Sequence, residues 1–415
     1  MKKIDSKEIG STPLSSMGEM IAFIVIINMG LSLFASDVFV PGLPSIASQL
    51  HVLPEKAESA VSLFFLAFAV GQLVFGPLSD RFGRRRVLLW AIILLALSSL
   101  GCGFATTFND LLILRALQAV GASAGSVVGR AVLNDIFSGH DLVRVSANSA
   151  IMKAIAPVIA PLLGGILVTW FGWHAPFFLT ALLAAASCAL VIIYLPETNR
   201  SLERTATNFL VIITGYQRII KSREFLKYTI TPGLLNGGLV AIVANLPFIL
   251  IVNYNITKVE YGILHGTHTV CFVLGVFASK FFIKRTPNEA GIESRLMIIL
   301  AAYVILASIF SWICGANIKM WAVLSISLAY CWIMGFISPF LAAKGIAAFT
   351  DSAGASSSVQ GFIYYGIAAA IGWISHTLGG GSSIWLPYIL TCTGALALIA
   401  MFLLESLGNR KKISA

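Results

Sequence analysis

Three ionisable residues stand inside stretches that otherwise dissolve in hydrocarbon. Of the 18 Asp and Glu residues, Asp37 alone lies well within an apolar run, in LFASDVFVPGLP. Arg115 sits in LLILRALQAVGASAGSVVGR and Lys153 in SANSAIMKAIAPVIAPLLGG. A charge held in the membrane costs about 2.5–3.5 kcal/mol even on insertion scales, so each needs a reason. Asp37 and Arg115 lie about 6 and about 5 residues, or ~9 and ~8 Å, from the nearer ends of their segments. They arrive at similar depth from opposite chain directions and are expected to pair. An acid whose partner changes between conformations can take up and release a proton; a permanent structural bridge is the plain alternative.

Lys153 lies about 9 residues, or ~13 Å, inside its segment. A lysine stem of roughly 6 Å cannot lift its ammonium to the headgroups from there. It also sits ~15 Å from Asp37 along the bilayer normal, too far for a direct bridge. The expectation is a lysine facing a wet central cavity and touching a solute with an acidic or electron-rich group. The alternative is a structural lysine, neutral in its burial or bonded to backbone carbonyls. Tyr364, Tyr365, Tyr330, Trp332 and Phe362 could line such a cavity or simply pack.

Other motifs bear on mechanics. GPLSDRFGRRR, starting at Gly76, spaces two glycines around Asp80 and ends in Arg84, Arg85 and Arg86. Gly76 permits close helix approach, Gly83 a tight turn, and Asp80 can pair with arginines as a charged latch. Gly121, Gly125 and Gly129 recur every four residues, the small-xxx-small pattern of close packing. His265 and His268 are three apart, but only Glu260 is near them, so no metal site is expected.

The elements that must position these residues follow from composition. The chain has 415 residues, 58% hydrophobic and 11% charged, against about 25% charged in an ordinary soluble domain. Its solvent is a bilayer. Twelve apolar segments of spanning length run over 20–43, 59–79, 86–106, 110–133, 145–170, 175–195, 226–252, 261–283, 295–315, 319–343, 355–379 and 384–405. With both termini cytoplasmic, Lys56, Lys258 and Lys319 fall outside and Arg115 and Lys153 within spans. The rest of the 28 Lys and Arg residues fall on the cytoplasmic side. That is the positive-inside rule, so the net charge of +10 reports orientation and not a nucleic-acid partner. The first apolar run is too long for a cleavable signal peptide. The six cysteines form no C-x-x-C pair and read as small core residues.

A polar segment at 196–225, with a short surface helix through IITGYQRIIKSREF, separates six helices (1–195) from six (226–415). GPLSDRFGRRR is echoed by GVFASKFFIKR from Gly275, with Ser279 in place of the aspartate and Phe282 in place of the second glycine. The expected architecture is all-α and membrane-integral: two pseudo-twofold six-helix bundles, with the loop chemistry kept in one. Too few polar groups lie in the membrane for a catalytic set, and G-x-x-x-x-G-K-[ST] is absent, so neither an enzyme nor an ATP-driven pump is expected.

With GPLSDRFGRRR, RALQAVGASAG and APVIAPLLGG, the chain resembles the drug:proton antiporters of the major facilitator superfamily. SDVFVPGLPSIA and GWHAPF are similar to the bicyclomycin/chloramphenicol-resistance (Bcr/CflA) exporters. The resemblance implies efflux of small amphipathic compounds in exchange for protons, by rocking of two bundles. Export of an endogenous metabolite or siderophore, or proton-coupled uptake, is the alternative. The resemblance implies a gating loop of Gly76, Asp80, Arg81, Gly83 and Arg84 with Asp135 as partner, and a part in proton coupling for Arg115; the residues themselves suggest Asp37 as the proton carrier and substrate contacts at Asp37, Lys153, Tyr364 and Tyr365. Pro157, Pro161, Gly164 and Gly165 match the antiporter motif, although Ala156 and Ala160 stand where glycines often occur and Lys153 lies outside the pattern. A monomer in the bacterial inner membrane is implied, with small-molecule, proton and lipid partners and no cofactor beyond the proton gradient.

Overall fold

Backbone N–H and C=O groups find no water in a bilayer, and helices answer that constraint throughout. The computed structural model describes residues 16–199, 202, 209–286, 289–315, 318–347, 349, 353–379, 381 and 383–413. The first set of helices is α1 (Ser16–Asp37), α2 (Leu43–Gln49), α3 (Pro54–Phe82), α4 (Arg84–Gly103), α5 (Phe108–Ile136), α6 (Gly139–Phe171) and α7 (Ala175–Tyr194). A connecting helix, α8 (Phe209–Ile220), leads to α9 (Arg223–Pro247), α10 (Lys258–Arg285), α11 (Glu289–Cys314), α12 (Met320–Ala347), α13 (Ala353–Gly379) and α14 (Trp385–Ile413). Among the described residues eleven helical stretches are long and apolar enough to cross a membrane. α13, at 27 residues, is ~40 Å long and reaches across by length.

Three boundaries differ from the sequence expectation. The α-helix of the first span stops at Asp37, because Pro41 then forces a short 3-10 turn over Val40–Gly42 before α2. α6 begins at Gly139, so Lys153 is about 14 residues, or ~21 Å, from its start. The surface helix ends at Ile220, since Ser222 caps α9 by accepting from the Phe225 N–H at 3.3 Å. Residues 200, 201 and 203–208 of the expected linker lie outside the described residues.

Caps fix the ends on the face opposite the α3–α4 loop. Thr107 accepts from the Asp110 N–H at the start of α5, and Thr257 with Glu260 forms a full capping box on α10. α1 packs on α5, α6 and α7, while α9 packs on α12, α13 and α14, the same partners one set later. The glycine stripe of α5 does what its spacing predicts. A Cβ at Gly121 would lie 2.7 Å from the Ala91 carbonyl of α4, and one at Gly125 would lie 2.5 Å from the Asn28 carbonyl of α1.

The two sets meet mainly along α3·α13 and α6·α10. The first seam is closed over its length, with Gly372 against Ser62, Gly361 against Gln72 and Gly76 against Ser358. The second is closed only on the face away from the α3–α4 loop. There Gly165 meets the Lys258 carbonyl and Gly262 the Pro161 carbonyl. Toward the loop face, Asp141, Arg144, Asn148 and Ile151 of α6 are exposed. The glycine contacts of this seam thus lie away from the loop, and a cavity of about 510 Å³ lies between the sets on the loop side.

Candidate functional site

Asp37 ends α1 and is buried, accepting a hydrogen bond from Ser36 Oγ at 2.7 Å. Arg115, on α5, is fully buried beside it. The expected Asp37–Arg115 ion pair does not form. Arg115 Nη1 instead donates to the Ala35 carbonyl at 3.1 Å and to Gln118 Oε1 at 2.5 Å. Gln118 in turn donates to Ser99 Oγ on α4 at 2.7 Å. The guanidinium carbon lies 3.8 Å from the Phe39 ring centre and 4.2 Å from that of Phe64. Two ring faces, a carbonyl and an amide partly compensate the cation, while Nε and Nη2 have no hydrogen-bond partner among the described residues. The helix break at Asp37 frees the local backbone to turn the Ala35 carbonyl and Phe39 toward Arg115.

Lys153 lies where a cavity of about 170 Å³ separates the two sets. Tyr364 and Tyr365 of α13 line it too, so the structure joins three of the four residues expected to contact a solute. Asp37 is not among its lining residues. Tyr365 is held by Phe65, 5.9 Å away and stacked, and by Phe68 edge-on at 4.8 Å. Tyr330 instead bonds to the Leu235 carbonyl, and Trp332 stacks on Phe336, so both are packing residues. Arg130 shares the cavity wall with Lys153. It falls near the end of an expected span, where a basic residue is ordinary, so the sequence pattern hides it.

On the loop face, Arg84 pairs with Asp80 and with Asp135 at 3.2 Å. Gly83 has φ +96°, a conformation that lets the Arg84 N–H reach Glu197 Oε1 at 2.8 Å. Asn199 donates to the Asp80 carbonyl and Thr198 to Asp135, both at 3.1 Å. The PETN segment after α7 is thus part of the latch, although it reads as an ordinary polar linker. Arg81 lies over the Phe82 ring at 5.0 Å. All these pairs lie within the first set. The latch faces the second set across a cavity of about 510 Å³ lined by Asp80, Arg84, Asp135, Gly354 and Ala355 of α13, and Tyr216 of α8. Tyr216 donates to the Leu73 carbonyl at 3.1 Å, and burial pushes its phenol up to about 12, so it remains a donor.

Asp80→Asn should loosen Arg84 and slow turnover by ~10-fold or more while changing solute affinity by less than ~3-fold, the signature of a shifted conformational equilibrium. Single cysteines on the two faces would show it. Labelling rates identical to the parent would argue against a gate.

The APVIAPLLGG motif builds the α6–α10 seam away from the α3–α4 loop. α6 stays helical through Pro157 and Pro161. Pro161 has no N–H for the Pro157 carbonyl, which faces Thr269 Oγ1 of α10 at 3.5 Å. Gly164 approaches the Val38 carbonyl and Gly165 that of Lys258, leaving no room for a Cβ at either. His265 and His268 are engaged locally, by Tyr261 at 3.1 Å and by Ser327 at 2.8 Å.

Two further groups escape the sequence pattern. Glu58, one residue before the second expected span, is fully buried near the start of α3, with the Gly381 backbone beside its carboxyl. Glu293, at the start of α11, binds Lys227 at 2.5 Å, Lys344 at 2.8 Å and Tyr228 at 2.7 Å. It joins the start of α11 to the end of α12 as Arg84 joins the start of α4 to the end of α5, with the charges reversed. The second set therefore keeps a charged tie that the echo motif, lacking its aspartate, does not reveal. Glu293→Gln would take the carboxylate away from Lys227 and Lys344 and should cost about 3 kcal/mol. Thermal unfolding in detergent would register that loss, and an unchanged midpoint would show the tie to be incidental.

The sequence profile of the Major Facilitator Superfamily matches residues 25–375. The bicyclomycin resistance protein homolog of Haemophilus influenzae is 26% identical over 391 residues, covering 92% of this chain and 96% of that protein. The chloramphenicol resistance protein CraA of Acinetobacter baumannii is 29% identical over 306 residues, covering 74% and 72%. Among solved structures, a D-xylose-proton symporter superposes with a TM-score of 0.69 at 13% identity, covering 93% of this chain and 97% of that one. At that identity the likeness concerns the fold alone.

Proposed function

We propose, from the premise that this chain belongs to the major facilitator superfamily, that it exports small amphipathic compounds in exchange for protons by alternating access. The observation that carries this reading is the contrast between the two faces: close glycine contacts between α6 and α10 away from the α3–α4 loop, and two adjoining cavities between the helix sets on the loop side. A solute enters from the loop face, which the excess of Lys and Arg makes cytoplasmic. It rests against Lys153, Tyr364 and Tyr365. Rocking then parts α6 from α10 at Gly164 and Gly165 and closes the loop face. Asp37, near the outer end of α1, meets outer water in that state and takes a proton, which it releases on return. Arg115 bonds to the Ala35 carbonyl and Gln118 and not to Asp37, which leaves the carboxyl free to change charge. The resistance named for two relatives supports drugs as cargo. Transport, and not catalysis, is its role, in a bacterial inner membrane with both termini cytoplasmic. No cofactor beyond the proton gradient takes part, and a monomer suffices because both halves of the cavity lie in one chain.

Growth protection tests the export claim. A strain stripped of its own exporters, expressing this chain, should survive higher concentrations of chloramphenicol than one expressing Asp37→Asn. Equal sensitivity across neutral, acidic and cationic compounds would remove drug export.

A further inference from the structure

Several cations in the interior have compensating partners close by. Arg84 has two carboxylates, Lys227 and Lys344 share Glu293, and Arg115 has a carbonyl, an amide and two rings. Arg130 and Lys153 show neither a carboxylate nor a ring face among the described residues. They line one cavity from α5 and α6, and its other lining residues are Leu33, Gln72, Ser126, Pro232, Ala342, Ser357, Gln360, Gly361, Tyr364 and Tyr365, without a carboxylate. Among the described residues neither cation has an ion-pair partner, and the hydrogen bond from Arg130 is Nε to the Ser126 carbonyl at 3.0 Å. Two like charges facing one small, poorly hydrated space repel each other, and the repulsion becomes attraction when an anion sits between them.

We propose that Arg130 and Lys153 form an anion site whose ligand is an aromatic organic acid, its carboxylate or sulfonate held by the two cations and its ring lying against Tyr364 and Tyr365. This deepens the export reading by naming the class of its cargo, and it rests on that reading. The parts suit the roles. A guanidinium offers paired N–H donors that match a carboxylate, and an ammonium adds a compact charge. Tyr365, fixed by Phe65 and Phe68, gives an aromatic wall that loses little freedom on binding. Gln72 and Gln360 supply neutral polar contacts that a lipophilic cation could use only against the repulsion of both charges. The cavity shares Arg130 and Ser357 with the larger one that opens on the loop face, so a ligand entering there meets Arg130 first. Outward movement of such an anion also runs with an inside-negative membrane potential.

The test is equilibrium binding to the purified full-length chain in lipid nanodiscs, using three ligands on one ring system: 2-naphthoate, 2-naphthamide and 2-naphthylmethylammonium. The parent should bind naphthoate at least ~10-fold more tightly than the amide and bind the ammonium most weakly. Lys153→Met and Arg130→Gln should each weaken naphthoate by ~10-fold and leave the amide within ~2-fold, while Lys153→Arg keeps the preference. Equal affinity of the parent for naphthoate and its amide, or no binding of naphthoate, overturns the site. So does either neutralised variant binding naphthoate like the parent. The comparison on the parent needs no variant to fold. Proton exchange fails separately, in vesicles where the acid binds with its charge preference intact but no pH gradient moves it.

Discussion

Asp37→Asn should abolish solute movement driven by a proton gradient, by ~100-fold or more, and leave solute binding within ~3-fold of the parent. The asparagine can still accept from Ser36, which holds the side chain at 2.7 Å, so the local fold survives. What it loses is the ability to change charge. Uncoupled exchange of labelled for unlabelled solute across the vesicle membrane should persist, because that half-cycle needs no net proton movement. Glu58→Gln is the matched control, a second buried carboxyl on the same outer side. If the Glu58 variant stops coupled transport and the Asp37 variant does not, the proton belongs to Glu58.

Arg115→Lys should be nearly as damaging, lowering coupled transport by ~10–100-fold although the formal charge is kept. An ammonium cannot fill the space between the faces of Phe39 and Phe64, 3.8 and 4.2 Å from the guanidinium carbon, and at the same time serve the Ala35 carbonyl and Gln118. Released from that clamp, the cation is free to swing to Asp37 and form the very ion pair the parent avoids, which would fix the carboxyl as its anion. Arg115→Ala should in addition lower stability by about 3 kcal/mol, since it leaves a void and an unpaired Gln118 oxygen among buried rings. Solute exchange without a gradient separates the two effects. Coupled transport by Arg115→Lys at the parent rate would mean that the clamp has no part in proton transfer.

The membrane class, the approximate spans and the presence of Asp37, Arg115 and Lys153 among apolar residues were legible because a charge in a long apolar run is costly and therefore conspicuous. The Arg84 latch was legible for the same reason its glycines were: Gly83 must turn and Gly76 must approach α13. Other features left no such mark. Arg130 stands at a span end, where basic residues are expected anyway. Glu58 stands just before a span, where an acid reads as a helix start. Glu197 and Thr198 look like linker until the chain folds back on Asp135. The missing Asp37–Arg115 pair shows a different limit. Matching depth brings two residues close, but the Pro41 turn and two phenylalanine rings decide which partner the guanidinium takes, and neither follows from depth.

Vesicles reconstituted with this chain, given an acidic lumen and supplied with external chloramphenicol, test exchange most directly when drug uptake and luminal pH are recorded together. The account predicts that protons leaving the lumen drive chloramphenicol inward against its gradient, that the lumen turns alkaline faster when drug is added, and that Asp37→Asn does neither. Drug leaving pre-loaded vesicles together with the protons, or equilibrating at the same rate with and without the gradient, would contradict it.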